Sequence, residues 1–328
     1  MSVRLTLALE SGGLALPGSG TIRAVLPAPG ADLSALPRDR VQVVQPFRPH
    51  FDHFAQTGLD TVPEADGPCA AAILFLPRAK ARARALVHDI CATCTGPVVI
   101  DGFKTDGIES LLRDIRKKVP VAGALAKAHG KLFWFDADAR AFADWAAPAE
   151  TVVEGFHTAP GVFSADGIDA GSRLLREALG GHVGRHVADL GAGWGYLSAG
   201  LVADDRLERL DLVEADHAAL DCARANVTDP RARFHWADAT AWRPDAAPDA
   251  VVMNPPFHNG RAADPSLGRA FIDAAARMLA PGGALWLVAN RHLPYETALT
   301  PRFAECREVA GDGRFKILRA ARPSRPRR

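Results

Sequence analysis

Residues 187–195 of this 328-residue chain read Val-Ala-Asp-Leu-Gly-Ala-Gly-Trp-Gly, and this stretch decides the fold of the second half. The apolar run around Asp189 predicts a strand, and a pattern typical of a helix follows Gly195. Because glycine has no side chain, Gly191, Gly193 and Gly195 let the chain turn sharply and bring its backbone against a ligand. The stretch therefore predicts a strand–loop–helix unit with a ligand-binding loop.

The rest of the second half alternates between strands and helices. Strands separated by helices of about ten residues predict a mainly parallel sheet covered on both faces, which is an α/β fold. We expect further strands at 209–214, 233–237, 250–253, 284–289 and 315–320, and helices at 174–179, 196–202, 218–227 and 267–279.

The first half predicts a second domain of the same class. Its first sixty residues indicate short strands and turns, and strand–helix alternation follows. A chain of this length suits two domains, and Pro148 marks a linker. We therefore expect domains at 1–150 and 151–328. The predicted strands of the first are 70–76, 98–101 and 131–135, and its helices are 78–91 and 108–118.

A weak internal duplication links the two halves. Asp101 ends a strand six residues before Gly107, as Asp189 ends a strand six residues before Gly195. Phe103 and Thr105 then stand where the second copy has glycines, so the first copy would be degenerate and unable to admit a ligand. Chance similarity of two strand–loop–helix units is the alternative explanation.

Three carboxylates follow consecutive strands. Asp189 precedes the glycine loop, Glu214 ends the next strand and can accept from both ribose hydroxyls, and Asp238 follows a third strand, where it can accept from an adenine amine. The loop lacks the Lys-Ser/Thr of a P-loop, and its spacing departs from the dinucleotide G-x-G-x-x-G, so S-adenosylmethionine is favoured over NAD. Helix capping or solvated strand ends are the alternative for each carboxylate.

Asn254-Pro255-Pro256-Phe257 follows another predicted strand. Parallel α/β sheets bind ligands at the carboxyl ends of their strands. There the Asn254 side-chain oxygen and the Pro255 carbonyl can accept the two hydrogens of a planar NH₂ group, and Phe257 can stack on the ring that carries it. These acceptors favour a pyramidal nitrogen, which can attack a methylsulfonium carbon. The motif therefore predicts a catalytic site for amine methylation.

Composition indicates the cellular compartment and the ligands that we expect. No apolar run is long enough to span a membrane, and five cysteines suit a reducing cytoplasm. Cys91-x-x-Cys94 has no second ligand pair, and the histidines have no metal-binding spacing, so no metal is expected. The seven basic residues between Arg314 and Arg328, with no acid among them, can hold RNA or form a solvated terminus.

The second half resembles the class I S-adenosylmethionine-dependent methyltransferases, specifically the bacterial small-subunit ribosomal RNA guanine-N2 methyltransferases of the RsmC type. The resemblance is close from about Pro160 onward and looser before it, and Trp194 within the loop departs from the family pattern. It rests on residues 161–164, 166–172, 189–195, 254–260, 288–290, 293–295 and 313–316.

That resemblance implies two tandem Rossmann-like domains, the first of which has lost cofactor binding and helps to hold RNA. It implies methylation of guanine N2 in small-subunit rRNA or in the 30S particle. Asn254 and Pro255 would grip the amine, Phe257 would stack on the base, and His258 favours guanine. The alternatives are methylation of adenine N6 or glutamine N5, and a non-catalytic RNA-binding assembly protein.

Overall fold

The computed structural model describes residues 3–181, 183–256, 258–259, 262–263 and 265–324. The chain forms two compact units, Met1–Ala149 and Glu150–Arg328. Within the described part of the chain, no helix combines the length and the apolar character that a membrane crossing requires.

The first unit is an α/β domain with a seven-stranded sheet. The strand order is β3-β2-β1-β4-β5-β7-β6, in which β1 to β5 run parallel and β6 and β7 pair antiparallel at one edge. Its helices are α1 (Val3–Glu10), α2 (Arg48–Gln56), α3 (Lys80–Thr93) and α4 (Ile108–Arg116), and its strands are β1 (Ile22–Val25), β2 (Val41–Val44), β3 (Asp60–Val62), β4 (Ala71–Phe75), β5 (Pro97–Phe103), β6 (Gly123–Lys127) and β7 (Gly130–Asp136).

The second unit repeats this plan after a short hairpin. Its large sheet has the order β12-β11-β10-β13-β16-β18-β17. The helices are α5 (Ala170–Leu179), α6 (Tyr196–Leu201), α7 (His217–Asn226), α8 (Pro265–Met278) and α9 (Glu296–Leu299). The strands are β8 (Thr151–Val153), β9 (Phe156–Thr158), β10 (His186–Leu190), β11 (Arg209–Glu214), β12 (Ala232–Trp236), β13 (Ala250–Met253), β14 (His258–Asn259), β15 (Ala262–Ala263), β16 (Ala284–Asn290), β17 (Phe303–Gly311) and β18 (Phe315–Pro323).

The predicted α/β class with two Rossmann-like domains is confirmed. Strands β11 and β13 have the predicted bounds, because every residue of β13 and the four central residues of β11 are buried. Strand β13 is a continuous apolar run, which is a strong sequence signal for a strand covered on both faces, whereas β11 also contains charged residues. The predicted strand at 315–320 extends to Pro323, so most of the basic C-terminal segment is part of the sheet.

The prediction of only strands and turns in the first sixty residues is wrong, because α1 and α2 are helices. Helix α1 buries Arg4, Leu5 and Ala8 on one face. The Arg4 guanidinium Nε lies 2.5 Å from the Asp101 carboxylate, and both side chains are almost completely buried. The polar and apolar alternation of this segment conceals a helix whose inward face includes a charged residue.

The duplication is present, but its predicted alignment is wrong. The shared strand order makes β1 the counterpart of β10, whereas β5, which carries Asp101, corresponds to β16. The backbone N–H of Leu26 donates to Val44, as that of Gly191 donates to Val213. Leu26 therefore occupies the position of Gly191.

A buried charged cluster joins three strands of the second sheet. The carboxylate of Asp211 lies 2.6 Å from His186 Nε2, 2.7 Å from His235 Nε2 and 2.8 Å from Arg209 Nε. Burial alone would raise the pKa of Asp211, but these hydrogen bonds outweigh burial and hold that pKa well below its ordinary value. A carboxyl whose pKa is lowered by folding stabilises the native state above its unfolded pKa, and that contribution is lost as the pH falls.

We expect Asp211→Asn to lower the free energy of unfolding at pH 7 by about 3 kcal/mol, because it breaks a buried ion pair. The difference from the wild type should shrink below pH 3.8, the ordinary pKa of the carboxyl. Urea unfolding at several pH values measures both. Asp245→Asn is the matched control: Asp245 also pairs with Arg209 but is 65% exposed, so its loss should change the free energy of unfolding far less than that of Asp211. An equal loss of unfolding free energy in both variants would contradict the view that the buried ion pair of Asp211 stabilises the fold.

Candidate active site

The glycine loop follows β10 at the carboxyl edge of the second sheet. Gly191, Gly193 and Gly195 have φ angles of +70°, +56° and +85°, which residues with a side chain rarely adopt. A Cβ on Gly195 would lie 3.1 Å from Val227 Cγ2, so this glycine allows α7 to pack closely. Among the described residues, no heavy atom lies within 4 Å of a Cβ placed on Gly193. Gly193 therefore borders open space on the side where a ligand can approach.

Asp189 lies beneath this loop and is fully buried. Its Oδ2 accepts a hydrogen bond from the Ser198 hydroxyl at 2.7 Å, whereas its Oδ1 has no partner among the described residues. Burial raises the pKa of Asp189 to about 7, and the Glu214 carboxylate adds to this rise. A buried carboxylate without a full set of partners favours a cationic ligand.

Glu214 connects the end of β11 to the glycine loop. Its Oε2 accepts from the Gly193 N–H at 2.8 Å, and its Oε1 accepts from Ala215 and Asp216 N–H groups at 2.7 and 2.8 Å. Burial raises the pKa of this carboxyl, and the three hydrogen bonds oppose that rise. A carboxylate offers about four acceptor positions, so one remains for a ligand. The structure therefore brings Glu214 and the loop together.

Asp238 follows β12 and caps the turn after it. Its Oδ1 accepts from the backbone N–H of Thr240 at 2.8 Å and from the Thr240 hydroxyl at 2.7 Å. The hydrogen bonds among the described residues do not use its other oxygen. The structure thus gives Asp238 the capping role that was the alternative for this residue and leaves one oxygen for a ligand.

Asn254 follows β13 and has an unexpected pair of partners. Its amide nitrogen donates to Asp169 Oδ2 at 2.9 Å and to Ser172 Oγ at 2.8 Å. Pro255 next to it is buried. Phe257, the predicted stacking residue, lies outside the described residues, as do the side chain of His258 and the last basic residues, Arg325, Arg327 and Arg328.

Asp169 and Ser172 were not among the predicted site residues. Asp169 is the N-cap of α5 and accepts from the Ser172 N–H at 2.8 Å. An Asp three residues before a Ser at a helix start is a capping pattern, and both residues also lie in the stretch 166–172 on which the family resemblance rests. One pocket is lined by the loop glycines Gly191 and Gly193, by Asn254 and by both of these residues.

Trp194 also lines this pocket, and its ring is held in place by its neighbours. The ring is almost completely buried and packs against Phe156 and Tyr196, with centroids 5.2 and 5.7 Å away. Its indole N–H donates to the Phe163 carbonyl at 2.9 Å. Trp194 therefore anchors the segment before α5 to the glycine loop, and this explains a bulky residue at that position.

The first unit lacks the corresponding groups. Leu26 stands in place of Gly191, with a φ of +58°. Gln45 follows β2 as Glu214 ends β11, and its Nε2 donates to the Pro27 carbonyl at 2.8 Å. The segment after β4 reads Leu76-Pro77-Arg78 and contains no asparagine. The first unit therefore has the same sheet, and Gln45 still bonds to the loop after β1. It has no carboxylate in the position of Glu214 and no asparagine in the position of Asn254.

The second unit fits S-adenosylmethionine. This molecule carries a sulfonium and an ammonium charge, which suit the unpartnered oxygen of buried Asp189. Its ribose hydroxyls suit the acceptor position left on Glu214. The loop N–H groups of Gly191, Ala192 and Gly193 already donate to Val213 and Glu214, so the loop is not built to cradle a phosphate.

Comparison with known proteins agrees with this fit. The profile of the Methyltransferase small domain family matches residues 154–319. Over 284 residues, which are 82% of this chain and 80% of the relative, the sequence is 31% identical to ribosomal RNA small subunit methyltransferase C of Erwinia tasmaniensis. Over 170 residues, which are 50% of this chain but 45% of the relative, it is 36% identical to ribosomal RNA large subunit methyltransferase G of Aeromonas salmonicida.

A solved structure matches along both units. It is the T. thermophilus 16S rRNA N2 methyltransferase RsmC in complex with AdoMet and guanosine, which is 26% identical, with a TM-score of 0.75 over 94% of this chain and 90% of that chain. The match to the Erwinia tasmaniensis protein, unlike that to the Aeromonas salmonicida protein, extends well beyond the second unit. The chain therefore belongs to the RsmC family of S-adenosylmethionine-dependent rRNA methyltransferases.

Proposed function

We propose that this protein transfers the methyl group of S-adenosylmethionine to the exocyclic N2 amine of a guanine in small-subunit rRNA. The observation that carries the proposal is the position of Asn254, whose amide lines the same pocket as the glycine loop. The names of the relatives that match both units, and the guanosine bound to the T. thermophilus enzyme, support the nucleobase and the subunit.

Asn254 and Pro255 act on the amine. The lone pair of an amine conjugated to a purine is delocalised, so the amine is a poor nucleophile. Acceptors on both of its hydrogens favour the pyramidal form and strengthen as positive charge develops, which stabilises the transition state more than the ground state. Holding the nitrogen in line with the methyl group supplies much of the remaining acceleration.

The reaction needs no strong base in the protein. S-adenosylmethionine supplies a methyl group on a positively charged sulfur. The N2–methyl bond forms as the sulfur–methyl bond breaks, and the cationic amine then loses a proton to water. Asn254 and the Pro255 carbonyl hold the N–H groups throughout, and Phe257 stacks on the guanine.

Four groups on three strands hold the cofactor in this proposal. Asp189 faces its positive charge, Gly191, Gly193 and Gly195 give it room, Glu214 accepts from the ribose and Asp238 accepts from the adenine amine. Asn254 borders both the cofactor and the guanine because its pocket includes the glycine loop.

An RNA substrate requires binding surfaces besides the methyl-transfer pocket. The target guanine must leave its stack to reach a strand end, so further surfaces must hold the RNA backbone, and the 30S particle in the cytoplasm is the proposed substrate. In the basic C-terminal segment, Lys316 and Arg322 contact Glu296 and Glu305, and Arg319 lies over the Trp286 ring. Arg314 lies over the Phe315 ring but is exposed, so it and the last basic residues are the better candidates for RNA contact.

Transfer of a tritiated methyl group tests the proposal. Purified 30S particles, naked 16S rRNA and 50S particles are each incubated with enzyme and labelled S-adenosylmethionine, and the nucleosides are then separated. We expect N2-methylguanosine from small-subunit RNA. Label on adenine or on protein would refute the acceptor, label only on 50S particles would refute the subunit, and absence of cofactor binding by calorimetry would favour a non-catalytic assembly protein.

A further inference from the structure

The amide of Asn254 is held in one orientation by two side chains from α5 and its N-cap. We propose that Asp169 and Ser172 are positioning residues for methyl transfer, because they fix the Asn254 amide with its oxygen turned to the substrate amine. This inference rests on the proposed function, in which the Asn254 oxygen accepts from that amine.

The chemistry of Asp169 determines which amide atom faces it. An ionised carboxylate only accepts hydrogen bonds, so the amide atom 2.9 Å from Asp169 Oδ2 must be the NH₂ group. The second amide hydrogen is directed to Ser172 Oγ at 2.8 Å. Both donors of Asn254 are therefore used, and none of the hydrogen bonds between described residues involves its Oδ1.

One oxygen of Asp169 performs two tasks. Its Oδ2 accepts from the Ser172 backbone N–H, which caps α5, and from Asn254. The cap thus sets the position of the acceptor that orients Asn254. Ser172 is almost completely buried, so water has limited access to substitute for its hydroxyl.

Gly171 allows α5 to approach the sheet at this point. A Cβ on Gly171 would lie 3.1 Å from Asp169 Oδ2 and 3.2 Å from Val288 Cγ2 and Phe315 Cε1. These distances are tighter than most Cβ contacts, so a side chain here would push the start of α5 away from β16 and β18. The small residue between Asp169 and Ser172 therefore keeps both acceptors within reach of Asn254.

Orientation matters because the two ends of an amide have opposite hydrogen-bonding properties. A reversed Asn254 would present an NH₂ group to the NH₂ group of guanine and would oppose the charge that develops on it. Each lost acceptor releases the amide from its single orientation, so the rate of methyl transfer should fall while cofactor affinity stays.

Three variants test this. Ser172→Ala removes one acceptor but keeps the backbone N–H of the cap, and it should lower the single-turnover rate about tenfold, as expected for one buried hydrogen bond. Asp169→Ala should lower it further. Asp169→Asn should restore the rate to within about threefold of the wild type, because an amide oxygen can still accept both bonds. Calorimetric affinity for S-adenosylmethionine should change less than about twofold in each, because the cofactor contacts are kept.

The double variant Ser172→Ala/Asn254→Ala separates positioning from a general structural role. If Ser172 acts through Asn254, adding Ser172→Ala to Asn254→Ala should change the single-turnover rate less than about twofold. A full further loss would overturn the inference, as would a Ser172→Ala rate equal to that of the wild type. Melting temperatures identify variants that fail to fold, and Asp169→Asn then still tests the orientation.

The Asn254→Ala variant distinguishes failure of the proposed function from failure of the positioning role. If Asn254→Ala itself methylates guanine at the wild-type rate, the proposed amine-gripping role is wrong. If Asn254→Ala is impaired and Ser172→Ala and Asp169→Ala are not, only the positioning role is wrong.

Discussion

Replacing Asn254 by alanine is expected to lower the rate of methyl transfer by about 10²–10³-fold, the usual cost of removing one preorganised group that stabilises developing charge. Affinity for S-adenosylmethionine should remain nearly unchanged, because the side chain acts mainly on the acceptor amine. In steady state, kcat falls, and the KM for the cofactor does not rise with it.

Single-turnover methylation of small-subunit RNA measures this rate, and calorimetry measures the cofactor affinity. Asn290→Ala is the matched control, because Asn290 is the last residue of β16, the strand beside β13. Asn290 is half-buried and does not line the pocket of Asn254, so its loss should leave the rate within about twofold of the wild type. Full activity of Asn254→Ala, or equal losses in both variants, would assign amine binding to another group.

Glu214→Gln is expected to weaken S-adenosylmethionine binding by about 10–100-fold, because hydrogen bonds to a charged acceptor contribute about 1.5–3 kcal/mol. Three backbone N–H groups leave one acceptor position on the Glu214 carboxylate for a ribose hydroxyl. An amide in its place offers one oxygen and a nitrogen that only donates, so it cannot keep all of these bonds. The methyl-transfer rate at saturating cofactor should change much less, so the effect should appear mainly in the KM for the cofactor.

The first unit indicates that the Glu214→Gln variant will fold. Gln45 occupies the equivalent position there, is 2% exposed and bonds to the loop after β1. Glu208→Gln removes an exposed carboxylate from the same unit, and its cofactor affinity should match that of the wild type. An unchanged Kd in Glu214→Gln would show that the ribose is held elsewhere, and loss of folding would show that the charge is structural.

Much of the fold was predictable from local sequence. The buried strands β13 and β16 are short, almost wholly apolar runs, and such runs indicate strands covered on both faces. Helix α1 was not predictable in this way, because its inward face includes Arg4, whose partner Asp101 lies 97 residues away. An inward-facing charge disrupts the apolar periodicity from which helices are recognised.

The alignment of the two duplicated units was also not predictable from local sequence. A match of short motifs aligned Asp101 with Asp189, although the strand order pairs β1 with β10. Three-residue similarities recur by chance in α/β proteins, whereas the order of seven strands in a sheet is a property of the whole unit.

The sequence by itself determined the glycine loop, the carboxylates at the ends of β10 and β11 and after β12, and the Asn-Pro-Pro segment that follows β13. Each of these features depends on residues next to one another in the chain. Only the tertiary structure decided what holds Asn254, since Asp169 is 85 residues away. That contact exists because α5 packs closely on β16 and β18 through Gly171, and no local pattern encodes the distance between a helix start and a strand end.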